Sequence, residues 1–312
     1  MPTGTQKAEE NFDPSETHSQ LGLPPWKEYF VDLAGGRMRY LQAGSGRPLI
    51  LVHGLMGYSF SWRFSFPALA PHATLYAIDN LGAGFSKAPD GMDCSMRAAA
   101  ERVLQLVDVL GMTDFDLLGT SYGGAVAMMA AALCADRHDA RLKRLVLVAP
   151  VNPWSRHGRW LAPFVGGRLG SMLFRNTVAR WRALDHLWLR RLFADGSKIP
   201  PDSLEGYRQP IHENRVFGHA QSIVRTWTAD LAELEQALAK IRHYPFLLMW
   251  GTHDRAVSFR SAERLRQNFR DSQLVAFKGV GHLPYEESPE EFIRELIKFL
   301  TTTPALHSHH GA

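Results

Sequence analysis

The chain is poor in cysteine: Cys94 and Cys134 are the only two among 312 residues. Two thiols do not make a disulfide framework, which suits a reducing compartment or indifference to redox. They also lack the paired spacing of a zinc site, so no metal is expected. Long apolar runs are missing as well. A bilayer span needs roughly 18 uninterrupted apolar residues, and even the stretch 98–110 is broken by Glu101, Arg102, Gln105 and Asp108. No membrane span is expected. Residues 1–20 also lack the apolar centre of a signal peptide, so the expected location is cytoplasmic. An excess of one charge sign is nearly absent: the formal net charge is +4, and basic residues are interspersed with acids except, for the most part, between Arg156 and Arg191. A nucleic-acid partner therefore has little support. Internal repeats and low-complexity tracts are missing too.

What remains is 45% hydrophobic and 21% charged, the makeup of an ordinary globular protein. Short apolar runs at 48–53, 74–79, 115–119, 144–149, 246–251 and 274–277 read as strands buried on both faces. Between them, residues 96–110 place Ala99, Val103, Leu106, Val107 and Leu110 at helical spacing. Residues 291–300 do the same with Phe292, Ile293, Leu296, Ile297 and Leu300. This alternation predicts an α/β fold with a mostly parallel sheet covered by helices on both faces. From 152 to 243 it breaks down: no buried strand is visible, and Trp154, Trp160, Phe164, Trp181, Trp188 and Phe193 sit among arginines. The segment reads as a helical cap inserted in the sheet. The expected organisation is a disordered extension at 1–25, a core of 26–151 and 244–302, a cap at 152–243 and a disordered tail at 303–312.

Chemistry begins at Gly119-Thr120-Ser121-Tyr122-Gly123, between a predicted strand and an alanine-rich helix. Glycines on either side of the serine tolerate the sharp, strained turn that lifts its hydroxyl clear of the backbone. The hydroxyl then stands at a helix N-terminus, whose free N–H groups favour a developing oxyanion. A serine is a weak nucleophile without a base, and the base needs an acid to fix its tautomer. His282 follows the strand at 274–277 on a glycine-bearing loop, and Asp254 directly follows the strand at 246–251. Their order after Ser121 is the one a strand–turn–helix hydrolase requires. After the preceding strand, Val151-Asn152-Pro153 offers no carboxylate. His53-Gly54-Leu55-Met56-Gly57 follows the first buried strand, where a backbone N–H at Leu55, with that of Tyr122, would form an oxyanion hole. His53 itself is expected to be a hydrogen-bonded structural residue.

These motifs, with Asp79-Asn80-Leu81-Gly82-Ala83-Gly84-Phe85-Ser86 and Gly281-His282-Leu283-Pro284, resemble the α/β-hydrolase superfamily, in particular its single-domain, cap-bearing serine hydrolases. The likeness runs from about residue 29 to 300. It implies an eight-stranded, mostly parallel sheet with a helical cap over the serine. Two departures matter. Many relatives carry an arginine where Leu81 stands, which leaves the partner of Asp79 open. Ser121 stands where the related epoxide hydrolases and haloalkane dehalogenases use an aspartate, which disfavours both activities.

The expectation is hydrolysis of a small-molecule carboxylic ester through an acyl-enzyme on Ser121, with no cofactor. One alternative is carbon–carbon bond hydrolysis of a dienoic ketoacid, as in the meta-cleavage hydrolases, although their glycine-proline-glycine oxyanion turn is absent here. The other is a ligand-binding receptor or scaffold of the same fold. Selection among acyl chains is expected from cap aromatics such as Trp160, Phe164, Trp181 and Trp188. Nothing in the sequence sets an oligomeric state.

Overall fold

Eight strands carry the fold: β1 (Lys27–Leu33), β2 (Gly36–Ala43), β3 (Pro48–Val52), β4 (Thr74–Asp79), β5 (Phe115–Thr120), β6 (Leu142–Val148), β7 (Phe246–Gly251) and β8 (Ser272–Phe277). They form one sheet in the order β1-β2-β4-β3-β5-β6-β7-β8, parallel from β4 through β8 and antiparallel at β1 and β2. The structure is a computed structural model that describes residues 26–155, 182–212, 214–269 and 272–302. The expected extensions at both ends, and Trp160, Phe164 and Trp181, lie outside the described residues.

Successive side chains on a strand point to opposite faces, and the apolar runs use both. Ile50, Val52, Leu117, Leu145, Leu147, Phe246, Leu248 and Trp250 enter one core. Leu49, Leu51, Leu118, Val146, Val148, Leu247 and Met249 enter the other. Every residue of β5, β6 and β7 is buried, so continuous hydrophobicity rather than alternation marks the centre of the sheet. The first core is closed by α1 (Met96–Val109) and α2 (Tyr122–Asp136), the second by α7 (Pro289–Thr302). Between β6 and β7 lie α3 (Arg182–Leu192), α4 (Ser203–Arg208) and α5 (Asn214–Ala237), and α6 (Arg260–Arg266) follows β7. Through Trp227, Leu231 and Leu234, α5 joins the first core.

One strand expectation is corrected, and one hairpin was not foreseen. The 274–277 run was expected to be buried on both faces, but β8 is an edge strand with Gln273 and Ala276 exposed. The hairpin β1–β2 escapes a search for buried runs because most of β1 faces solvent. Among the described residues, no helix is long and apolar enough to cross a membrane. Cys94 and Cys134 are buried free thiols.

The hairpin answers the question left at Leu81. The antiparallel register of β2 and β4 sets Arg39 opposite Asp79, and Arg39 Nη1 donates to Asp79 Oδ2 at 3.0 Å. Both side chains are buried. The remaining capacity of Asp79 is met by the N–H groups of Ser59 at 2.7 Å and Phe85 at 3.0 Å. Burial works against the Arg39 charge, but the Asp79 and Glu28 carboxylates outweigh it and raise its pKa. The pair pins the turn after β4 to the sheet. Arg39→Ala would leave a buried carboxylate without its cation, and the expected loss is about 3–5 kcal/mol of unfolding free energy. Urea denaturation measures it, and a loss below about 1 kcal/mol, the range of an exposed pair, would contradict this role.

Candidate active site

Ser121 joins β5 to α2 with φ 53 and ψ −122. A non-glycine residue in this region stores about 1–3 kcal/mol of strain and persists only where its surroundings over-determine it. Here they do. Its N–H donates to Val148 O at 2.9 Å, and its carbonyl accepts from Gly124, Ala125 and Val151 at 3.0, 3.3 and 2.9 Å. The crossing of strand and helix is possible only without side chains at the flanks. A Cβ on Gly119 would stand 2.2 Å from Gly123 O, and one on Gly123 would stand 2.3 Å from His53 O. The serine hydroxyl makes no hydrogen bond among the described residues.

The loop after β3 meets this serine. A Cβ at Gly54 would lie 3.1 Å from Ser121 Cβ and 3.7 Å from its Oγ, so the turn at 53–57 presses directly on the elbow. Among the described residues, the N–H groups of Leu55 and Tyr122 have no hydrogen-bond partner. Tyr122 opens α2, where an N–H without an intrahelical acceptor is built into the geometry. Its ring stacks on Trp227 of α5, centroids 6.0 Å apart, so the same residue ties the elbow to the insertion. His53 is buried. Its Nδ1 bonds Gly54 O at 2.8 Å, while its Nε2 accepts from Asn80 N–H at 3.0 Å. Burial lowers its pKa, and the two bonds describe a neutral imidazole that joins the ends of β3 and β4.

His282 and Asp254 come together from the ends of β8 and β7. His282 Nδ1 lies 2.7 Å from Asp254 Oδ2, with side-chain exposures of 4% and 0%. Asp254 Oδ1 accepts from the N–H groups of Ala256 and Val257 at 2.7 and 2.8 Å, so the carboxylate caps the following turn and orients the imidazole at once. The contact turns Nδ1 toward the carboxylate and leaves Nε2 on the far side of the ring. Asn152 binds its own loop instead: its Nδ2 donates to Pro150 O at 3.0 Å, and its Oδ1 accepts from Trp154 N–H at 3.1 Å.

The chain thus carries a strained serine at a strand–helix turn and a buried His–Asp pair at the ends of β8 and β7. The family description "alpha/beta hydrolase fold" matches residues 47–289. The chain belongs to the α/β-hydrolase family. It is similar to the 2-hydroxy-6-oxo-2,4-heptadienoate hydrolase of Pseudomonas putida, 28% identical over 279 residues that cover 86% of this chain and 94% of that protein. It is also similar to haloalkane dehalogenase 2 of Mycobacterium bovis, 29% identical over 286 residues that cover 88% of this chain and 96% of the relative. Among solved structures, a meta-cleavage product hydrolase from Pseudomonas fluorescens shares the fold, with a TM-score of 0.72 at 22% identity over 87% of this chain and 96% of that one.

Two glutamates in this α/β-hydrolase were not anticipated from its sequence. Both follow His282 within five positions, in the helical turn Pro284–Glu287. Glu286 takes a two-pronged bond from Arg63, at 3.2 and 3.1 Å, and a bond from Tyr207 Oη of α4. Arg63 also donates to Ser203 Oγ of α4 at 2.6 Å. Glu287 turns the other way. Its Oε2 accepts from Gly281 N–H at 2.7 Å and Ala194 N–H at 3.0 Å, and its Oε1 accepts from Asp195 N–H at 3.0 Å. His282 N–H in turn donates to Leu192 O at 2.7 Å. The histidine loop is thereby hydrogen-bonded to the residues that end α3, and the insertion and the base share one scaffold.

Glu287→Gln replaces one acceptor oxygen with an amide that faces a backbone N–H. The expected result is a loss of about 1–3 kcal/mol of stability, the penalty of an unsatisfied buried donor, together with faster amide hydrogen exchange at Gly281, Ala194 or Asp195. Exchange mass spectrometry reads this directly, and unchanged protection at all three positions would refute the clamp.

Proposed function

We propose that this α/β-hydrolase is a carboxylic ester hydrolase working through an acyl-enzyme on Ser121. The observation that carries the reading is the 2.7 Å bond between His282 Nδ1 and the buried Asp254 carboxylate, which points the basic Nε2 away from the acid and leaves it for a hydroxyl. Ser121 Oγ attacks the ester carbonyl carbon as His282 Nε2 takes its proton. The carbonyl oxygen becomes an oxyanion that accepts from the Leu55 and Tyr122 N–H groups. Collapse of the tetrahedral intermediate breaks the bond to the alcohol oxygen, which leaves with the proton from His282. A water then repeats the sequence on the acyl group and frees Ser121. Asp254 stays ionised throughout and stabilises the imidazolium. No step calls for a cofactor.

The chemistry at the elbow argues against dehalogenation, despite the likeness to the mycobacterial enzyme. Attack of a serine oxygen on an alkyl halide would form an ether, which has no carbonyl for water to attack, whereas an aspartate forms a hydrolysable ester. Carbon–carbon bond hydrolysis is a second reading, supported by the likeness to the Pseudomonas putida enzyme over most of both chains. The two separate on substrate: the ester reading expects kcat/KM for a short-chain p-nitrophenyl ester to exceed that for 2-hydroxy-6-oxohepta-2,4-dienoate. The reverse order would replace it, and turnover of neither would favour a receptor.

Ser121→Ala and His282→Ala are each expected to lower kcat by several orders of magnitude, and the double variant should be little worse, because the groups act as one unit. Asp254→Asn should lower it by roughly 10⁴-fold, the loss seen in the worked Ser-His-Asp case for the same change, while Asn152→Ala should have a far smaller effect. Ester kinetics on the folded variants decide both points. A single serine or histidine variant within about tenfold of wild type would overturn the assignment.

A further inference from the structure

One side of the insertion carries groups that ester hydrolysis does not use. Between residues 156 and 198 the sequence holds nine basic and two acidic residues, which leaves 26 basic against 29 acidic in the rest of the chain. The excess positive charge is thus concentrated in this segment. On α3, Leu189 is 1% exposed, while its neighbours Leu187 and Trp188 stand 60% and 40% exposed. Trp188, expected among the selectors of the acyl chain, therefore presents its surface to solvent. Leu187, Arg190 and Arg191 share a helix face by their spacing, and with Ala194, Gly196 and Arg255 they line an open groove of about 660 Å³.

Among the described residues, none of those lining the groove is acidic. Arg190 and Arg255 make no ion pair among the described residues. A Cβ at Gly196 would stand 3.2 Å from Arg190 Nε, which shows the guanidinium lying close along bare backbone. Several cations in one concave surface hold a positive potential over it. An exposed leucine and tryptophan beside them supply apolar area that water does not favour. Arginine forks match phosphate oxygens, and tryptophan seats at the boundary between headgroups and acyl chains.

We propose that this face, built on Leu187, Trp188, Arg190, Arg191 and Arg255, docks the protein onto an anionic phospholipid surface. The arginines meet the headgroup phosphates, and Leu187 and Trp188 enter the interfacial layer. Binding is peripheral and reversible. The face lies beside the candidate catalytic centre: Arg255 follows Asp254 in the chain, and the end of α3 is bonded to the His282 loop. Each arginine near an anionic surface raises membrane partition by about fivefold, and the effect is screened by salt.

The test is co-sedimentation of the full chain with large vesicles of phosphatidylcholine alone or with 30% phosphatidylglycerol. It does not depend on ester turnover, so its failure is separate from failure of the hydrolase reading. Partition to the anionic vesicles should exceed that to the neutral ones by about tenfold or more at low salt and should collapse in 0.5 M NaCl. Arg190→Glu/Arg255→Glu should remove the preference. Leu187→Ser/Trp188→Ser should weaken binding to anionic vesicles several-fold. Arg266→Ala/Arg294→Ala, which removes two charges from α6 and α7, should retain the preference, and thermal melts establish that all variants are folded. Equal binding to both vesicles, or an undiminished preference in Arg190→Glu/Arg255→Glu, would overturn the proposal. So would inorganic phosphate binding without vesicle association, or self-association abolished by Trp188→Ser in its place.

Discussion

The backbone of Ser121 is the constraint on which the rest of the site depends. Its left-handed conformation is unfavourable by itself, and four backbone hydrogen bonds to β6, α2 and the loop after β6 hold it. Close approach forbids side chains at both flanks: β5 meets α2 at Gly119, and the start of α2 meets the end of β3 at Gly123. One turn thus does three things: it raises the hydroxyl, opens the N–H of Tyr122 at a helix start, and brings Gly54 against the serine. The turn at 53–57 and Ser121 are parts of one packed corner rather than separate fittings.

The insertion is bound into that corner by polar contacts as well as by apolar packing. Tyr122 stacks under Trp227, Glu286 gathers Arg63 and Tyr207, and Glu287 joins the His282 loop to Ala194 and Asp195. Two adjacent carboxylates just past the base therefore anchor α4 and the end of α3. A shift of those elements would pull on the loop that carries His282. The seating of the insertion and the placement of the His282 loop are therefore coupled.

The central sheet was legible because β4 and β7 are continuous apolar runs whose ends coincide with those read from the sequence. The strand-end positions of Ser121, His282 and Asp254 were legible because each residue follows an apolar run at a turn. What escaped has a physical pattern. β1 is an edge strand mostly in solvent, and the buried stretch of β2 is interrupted by Arg39, so neither presents a continuous apolar run. β8 looked central because Leu274 and Val275 are apolar, yet an edge strand is hydrophobic only where it touches its single neighbour. Arg39 partners Asp79 across 40 residues through strand register, and no local spacing encodes such a contact. Glu286 and Glu287 gave no signal in the sequence, since their partners lie on segments remote from them.

The central claim is that the strained serine forms a covalent acyl intermediate, with His282 needed to remove it. Intact-protein mass spectrometry of His282→Ala incubated with a p-nitrophenyl ester tests this most directly. The account predicts a slowly formed adduct of one acyl group that peptide mapping assigns to Ser121 and that is absent from Ser121→Ala/His282→Ala. An adduct on another residue, or one that persists after Ser121 is removed, would contradict it.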